Sequence, residues 1–276
     1  MKIAILSGKG GTGKTTLATN LFKTKNQGIL IDVDVEEPNS HLFLKPLILD
    51  RITIKKGYPV VDAAACTLCG ACGDFCRYNA ILPTKKKVLV YPELCHDCGG
   101  CQLVCPTNAI HYDKRTIGNV FSGKTESGLS VAYGDLLVGE VSGVHIIEHL
   151  REMTDQEPLV FIDSPPGTAC STVAAVEGVD YAIIAAEPTP FGVSDMKLVV
   201  EMLSGFSIPM GVVINKAGLG DQEIYEYCKE ENLTILAEIP FSKAYAKSYA
   251  SGKMLCDDFP EFRENMEEIL DQIIKD

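Results

Sequence analysis

The sequence predicts an α/β fold, a mostly parallel, doubly wound sheet into which a small cysteine-rich domain is inserted. Three observations lead there. Short apolar runs recur at Lys2–Leu6, Ile29–Val35, Leu159–Asp163, Tyr181–Ala186 and Met210–Asn215, and helical stretches stand between them. The runs are unbroken rather than alternating, as expected of strands covered on both faces. Eight of the 11 cysteines fall between Cys66 and Cys105, and the first 65 residues contain none. Residues 1–56 and 114–276 are therefore assigned to the α/β domain and 57–113 to the insert.

Composition narrows the function. The 276 residues are 46% hydrophobic and 22% charged, well outside the range of disordered chains. The excess of 37 acidic over 25 basic residues, a net −12, argues against a nucleic-acid partner bound through its phosphates. No run approaches the roughly 18 apolar residues needed to span a bilayer, and the opening MKIAILSGKGG breaks into glycines, unlike a secretory signal. The expected location is the cytoplasm, where thiols stay reduced and clustered cysteines read as ligands.

The first strand runs directly into Gly8, Lys9, Gly10, Gly11, Thr12, Gly13, Lys14 and Thr15, followed by Thr16 and a helix from about Lys14 to Lys25. This is G-x-x-x-x-G-K-[ST] between a strand and a helix, a P-loop. Its glycines let successive N–H groups turn inward around a phosphate, and the helix N-terminus adds partial positive charge. Lys14 reaches the β- and γ-phosphates in this arrangement and Thr15 ligates Mg²⁺. In Ile31-Asp32-Val33-Asp34 two carboxylates two residues apart project to one face.

The second lysine, Lys9 in K-G-G-T-G-K-T-T, resembles the deviant phosphate loop of ATPases related to MinD, ParA, Mrp and the nitrogenase iron protein. The resemblance covers roughly residues 1–56 and 140–276. It implies an ATP/ADP site with Mg²⁺ in a nucleotide-dependent dimer, either a homodimer or a heterodimer with a related ATPase. Lys9 would reach the partner's nucleotide, Asp34 would orient or activate the attacking water, and Asp32 would help hold the Mg²⁺ shell. Phe161-Ile162-Asp163-Ser164-Pro165-Pro166-Gly167 looks like the second metal-binding strand end of this group, with Asp163 toward Mg²⁺ and Gly167 near the γ-phosphate. Asn215 matches the adenine-reading residue, and Ile239-Pro240-Phe241 resembles the segment that closes over the base.

In the insert, Cys66-x₂-Cys69-x₂-Cys72-x₃-Cys76 is followed by Cys95-x₂-Cys98-x₂-Cys101-x₃-Cys105-Pro106. This is the bacterial two-cluster ferredoxin spacing written twice, in which the fourth cysteine of each run serves the other cluster. One [4Fe–4S] cluster is thus expected on Cys66, Cys69, Cys72 and Cys105, and a second on Cys76, Cys95, Cys98 and Cys101. Arg77 stands where proline is usual, which leaves a backbone N–H or a charge beside the second cluster. Asn79-Ala80-Ile81 and Asn108-Ala109-Ile110 repeat at matching offsets. His96 is expected at the surface rather than as a ligand, and Lys85–Lys87 in a turn between the halves, where it could guide an acidic redox partner.

Together these features resemble P-loop ATPases of the MinD/Mrp group that carry an inserted two-cluster ferredoxin domain. The implied activity couples ATP hydrolysis and dimerisation to electron transfer, or to iron–sulfur or metal-cofactor assembly on a partner protein. Two alternatives stand beside it: a MinD- or ParA-like positioning ATPase, and a ferredoxin-type relay whose nucleotide site is only structural. Against the first, the amphipathic stretch Pro260–Asp276 is acidic, so no membrane partner is expected. Gly118–Gly134 reads as a hairpin or a mobile connector. Cys170 reads as a small buried residue at a helix start, with a metal site across a dimer axis as the alternative, and Cys228 and Cys256 as bystanders.

Overall fold

A computed structural model describes residues 1–274. Eleven strands are present among them: β1 (Lys2–Leu6), β2 (Ile29–Asp32), β3 (Leu47–Val61), β4 (Ile81–Pro83), β5 (Val88–Val90), β6 (Ile110–Lys124), β7 (Ser130–Leu136), β8 (Val160–Asp163), β9 (Tyr181–Ala186), β10 (Met210–Ala217) and β11 (Thr234–Pro240). Nine of them form one sheet in the order β11-β10-β9-β1-β8-β2-β7-β6-β3. The first seven in that order run parallel. The sequence expectation of a mostly parallel sheet is met.

Both faces are covered. Ala4, Leu6, Ile31, Ile162, Ile184 and Val212 pack on one side. Their strand neighbours Ile3, Ile5, Leu30, Phe161, Ile183 and Val213 pack on the other. Alternate side chains thus enter two apolar layers, which is why these strands read as unbroken apolar runs. The closing helix Pro260–Ile273 buries Phe262, Met266, Ile269, Leu270 and Ile273 against the second layer. That disposes of the stripe as a membrane-facing surface; the last two residues of the predicted stretch lie outside the described residues. No helix among the described residues is long and apolar enough to cross a membrane.

The far edge is built differently. β7 pairs antiparallel with β6 through a turn at 125–129, so Gly118–Gly134 is a hairpin. β6 in turn pairs antiparallel with β3 from Leu47↔Lys124 to Val61↔Ile110. These two long strands run without a break through positions 57 and 113, and carry at their tip a small lobe, residues 62–109. The lobe holds the β4–β5 hairpin, in whose turn Lys85–Lys87 lie, and two short helices, Ala71–Phe75 and Gly100–Leu103. Its two halves repeat in backbone detail. Leu68 and Asp97, Gly70 and Gly99, and Asn79 and Asn108 adopt positive φ in matched pairs, at the same offset as Cys66 and Cys95.

Candidate functional site

The C-terminal ends of β1, β2, β8 and β10 converge on the loop Gly8–Thr15, the place where open α/β sheets bind ligands. Gly13 caps the following helix at φ 98°, a left-handed conformation that side chains disfavour. A Cβ there would also lie 2.5 Å from the Asn215 amide nitrogen. That amide, at the end of β10, donates to the Thr12 carbonyl at 2.7 Å. Lys14 is buried at the base of the loop. Gly167 donates its N–H to the Ser7 carbonyl at 2.9 Å, which holds the turn after β8 against the loop.

Two acids meet beneath it. Asp32 and Asp163 are paired positions on adjacent strands β2 and β8, and both are buried. Asp32 accepts hydrogen bonds from the Asp34, Asn39 and Ser40 amides at 3.1, 3.0 and 2.9 Å, fixing the Asp34–Ser40 segment. Among the described residues Asp163 has no hydrogen-bond partner on either oxygen, although the Thr15 hydroxyl lies beside it. Burial, and then the Asp32 charge, hold the Asp163 carboxyl well above the ordinary carboxylate range. Burial likewise raises Asp32, against its three amide donors. Asp34 is pushed up to about 6, first by burial and then by Asp32, with Lys14 opposing. An orphaned, buried carboxylate beside a threonine hydroxyl fits a hard divalent cation.

A cavity of about 270 Å³ opens from the loop, lined by Gly13, Asn215, Lys216, Pro240, Phe241 and Tyr245 among others. Asn215 and the Ile239-Pro240-Phe241 segment, far apart in sequence, thus share one wall with the loop. The Lys9 ammonium is 3.5 Å from Glu187. Lys216 meets the same carboxylate at 2.5 Å. The motifs Glu187-Pro188-Thr189-Pro190-Phe191-Gly192 and Asn215-Lys216 stand out in the sequence as family-like, but give neither Glu187 nor Lys216 a role; a glutamate closing strand β9 carries no local signal for two partners from β10 and the loop.

The cysteines separate into two cavities in the lobe. One is lined by Cys66, Cys69, Cys72 and Cys105, the other by Cys76, Cys95, Cys98 and Cys101. This is the division expected from the spacing. Among the described residues no three acid, histidine or cysteine side chains converge on a single ion position, so the thiols surround a space rather than a point. Several sulfurs already accept hydrogen bonds: Cys95 from the Asp97 amide at 3.4 Å and Cys105 from the Ala109 amide at 3.2 Å. Burial raises the thiols of Cys72, Cys95 and Cys101, whereas backbone donors, led by Thr107, lower Cys105. His96 is exposed and stacks on Tyr78 at 3.6 Å between centroids. Cys228 and Cys256 are buried. Cys170 is not: it opens the helix Cys170–Val176 on its exposed side, while Thr172, Ala175 and Val176 take the inward positions.

The chain matches the family described as the CobQ/CobB/MinD/ParA nucleotide binding domain over residues 3–255. An uncharacterized protein of Methanocaldococcus jannaschii is 33% identical over 280 residues, which cover 99% of this chain and 96% of that one. The iron–sulfur cluster carrier protein of Methanococcus maripaludis is 25% identical, over 100% of this chain and 86% of its own length. A ferredoxin of Saccharopolyspora erythraea is 32% identical over 56 residues, 20% of this chain and 53% of the ferredoxin. In fold, the septum site-determining protein MinD of Pyrococcus horikoshii, solved with Mg-ADP, superposes with a TM-score of 0.60 at 18% identity, covering 99% and 96% of the two chains.

Proposed function

We propose, for a chain that belongs to the CobQ/CobB/MinD/ParA nucleotide-binding family, an ATP-hydrolysing dimer switch that carries two [4Fe–4S] clusters on an inserted ferredoxin-like domain, residues 57–113. One observation carries the reading. Two sets of four cysteines line two separate cavities, on a ribbon continuous with the sheet that holds the phosphate loop. The partial likeness to ferredoxins and the full-length likeness to an iron–sulfur cluster carrier support it.

The loop amides from Gly8 to Thr16, together with Lys14, hold the ATP phosphates, and Asn215 and Pro240 flank the base. Thr15 and Asp163 would hold Mg²⁺, with Asp32 behind them fixing the Asp34 segment; the ion would neutralise charge on the β- and γ-oxygens. Asp34, unprotonated above about pH 6, orients the attacking water. Lys9 leaves Glu187 to place its charge on the partner subunit's nucleotide. The clusters would supply one-electron chemistry, or cargo, to a redox or cofactor-acceptor partner. The positioning-ATPase alternative loses its membrane element, because the apolar stripe of the last helix is buried.

Anaerobic purification tests the reading. The expected result is a brown protein with about eight iron atoms per chain, as two [4Fe–4S] clusters require, that dimerises with ATP. Colourless protein holding stoichiometric zinc would overturn it.

A further inference from the structure

The two cysteine cavities are not equivalent in their surroundings. Pro59 and Tyr112 line the one holding Cys95, whereas Val61 and Ile110, two residues further toward the tip of the β3–β6 ribbon, line the one holding Cys105. We call them proximal and distal. The proximal loop is tied to the main sheet: Asp97 accepts from the Gly57 amide at 2.6 Å, and Arg115 donates to the Pro92 carbonyl at 3.0 Å.

Lys56 sits at this junction. Strand alternation turns Lys55 to solvent and Lys56 inward, where its side chain is 1% exposed. Its ammonium makes no hydrogen bond. The nearest acidic oxygen is on Glu140, at 4.0 Å, and Arg115 already binds both oxygens of that carboxylate. An ammonium has three donors, and burying one without acceptors is costly. The other charged and titratable groups facing this space are Asp97, which His145 approaches to 3.9 Å, His96, which lines the proximal cavity, and the Cys95 thiol, the last two within Coulombic reach of Lys56. Of these, the sulfur is the one expected as a cluster ligand. None of the residues lining the distal cavity is charged.

We propose that Lys56 is a positioning residue for the proximal cluster: a buried cation, without a hydrogen bond among the described residues, that raises the reduction potential of the group on Cys76, Cys95, Cys98 and Cys101 and leaves the distal group unaffected. Reduction adds one negative charge to a cluster, and a fixed cation in a poorly screened site stabilises that charge. Arg77 also borders the proximal cavity, but it is exposed and solvent screens it. Glu140, the nearest anion, opposes Lys56, so removing its charge acts in the reverse sense.

The inference rests on the cluster reading above, and the test separates the two. The full chain and its Lys56→Met and Glu140→Gln variants are purified anaerobically, assayed for iron, and titrated with dithionite while reduction is followed by electron paramagnetic resonance. Iron near eight atoms per chain in the parent is the cluster reading's own result, and its absence sinks that reading first. The expected result for Lys56→Met is a shift of one cluster, and only one, to more negative potential by at least tenfold in the reduction equilibrium, about 59 mV for one electron. Glu140→Gln shifts the same cluster positive. General damage to the lobe does not produce opposite signs from neighbouring substitutions. Unchanged potentials in both variants, equal shifts of both clusters, or shifts of the same sign would overturn the proposal.

Discussion

Replacing Asp163 with asparagine is expected to stabilise the protein while removing its response to Mg²⁺. The carboxylate is 1% exposed, has no hydrogen-bond partner on either oxygen, and stands beside Asp32 on the next strand. Its folded-state pKa is raised, so the native state binds more protons than the unfolded chain. Stability then falls as pH climbs from the unfolded value of 3.8 through the folded one, by about 1.4 kcal/mol per pH unit between them. Asparagine matches the shape and carries no charge. Against the several kcal/mol that an uncompensated buried ion costs, a gain of about 2 kcal/mol at pH 8 is a conservative figure. For a chain of this length that is about 4–8 °C in melting temperature. The assay is thermal unfolding with a chelator at pH 5.5 and 8.0, where the gain is larger at pH 8.0, and again with Mg²⁺ and ATP. Ligand at 100 times its Kd stabilises the parent by about 2.7 kcal/mol, and the variant loses the Mg²⁺-dependent part. A variant less stable than the parent in chelator at pH 8.0, or one retaining the full Mg²⁺-ATP shift, would refute the reasoning.

Three further outcomes follow from the same geometry. Asp34 must be unprotonated to orient water, so turnover should drop as pH falls through about 6, and a kcat profile flat to pH 5 would exclude that role; Asp34→Asn should lower kcat by about 10²-fold. Gly13→Ala places a Cβ 2.5 Å from the Asn215 amide at φ 98°, which breaks the bond to Thr12; calorimetry should show ATP affinity reduced more than about tenfold, given about 1–2 kcal/mol for the backbone conformation alone. Glu187→Gln releases Lys9 and Lys216 from a shared carboxylate, so ATP-dependent dimerisation, followed by sedimentation, should tighten; an unchanged dimer constant would show that Glu187 does not restrain Lys9.

What the sequence made legible was local. The phosphate loop, the five parallel strands named from apolar runs and the closing helix are each read within a dozen or so residues, and their chemistry is carried by short spacing. The cysteine repeat is local in the same sense, down to the positive-φ residues that recur in both halves. The β3–β6 ribbon was not legible as strands. Its outer member is an edge strand, exposed from Leu47 to Arg51, so no apolar face marks it, and its pairing spans the entire lobe. Cys170 was misjudged for a related reason. A helix start next to a turn says which residue begins the helix, not which way that residue faces. Lys56 was hidden by its neighbour, because Lys55-Lys56 reads as a solvated pair until strand alternation sends one side chain inward.

Lys56 shares a physical logic with the nucleotide site. At the ends of β2 and β8 the chain buries two carboxylates against each other, one of them without a hydrogen-bond partner among the described residues, with Lys14, Thr15 and Asp34 nearby. At the base of the ribbon it buries an ammonium whose nearest anion is already taken by an arginine. Neither arrangement is stable on its own terms, since an uncompensated buried charge opposes folding. On the proposed reading, each would become favourable when a charge arrives from outside the chain: a cation at the first, an anionic iron–sulfur group at the second. The signs are opposite, the sites lie on different strands, and the composition of −12 contains no trace of either. Charge imbalance at a buried position, visible only once strand pairing is known, is therefore consistent with the proposed pair of ligands without using the motifs. The Asp163→Asn and Lys56→Met experiments test the two halves of that argument separately.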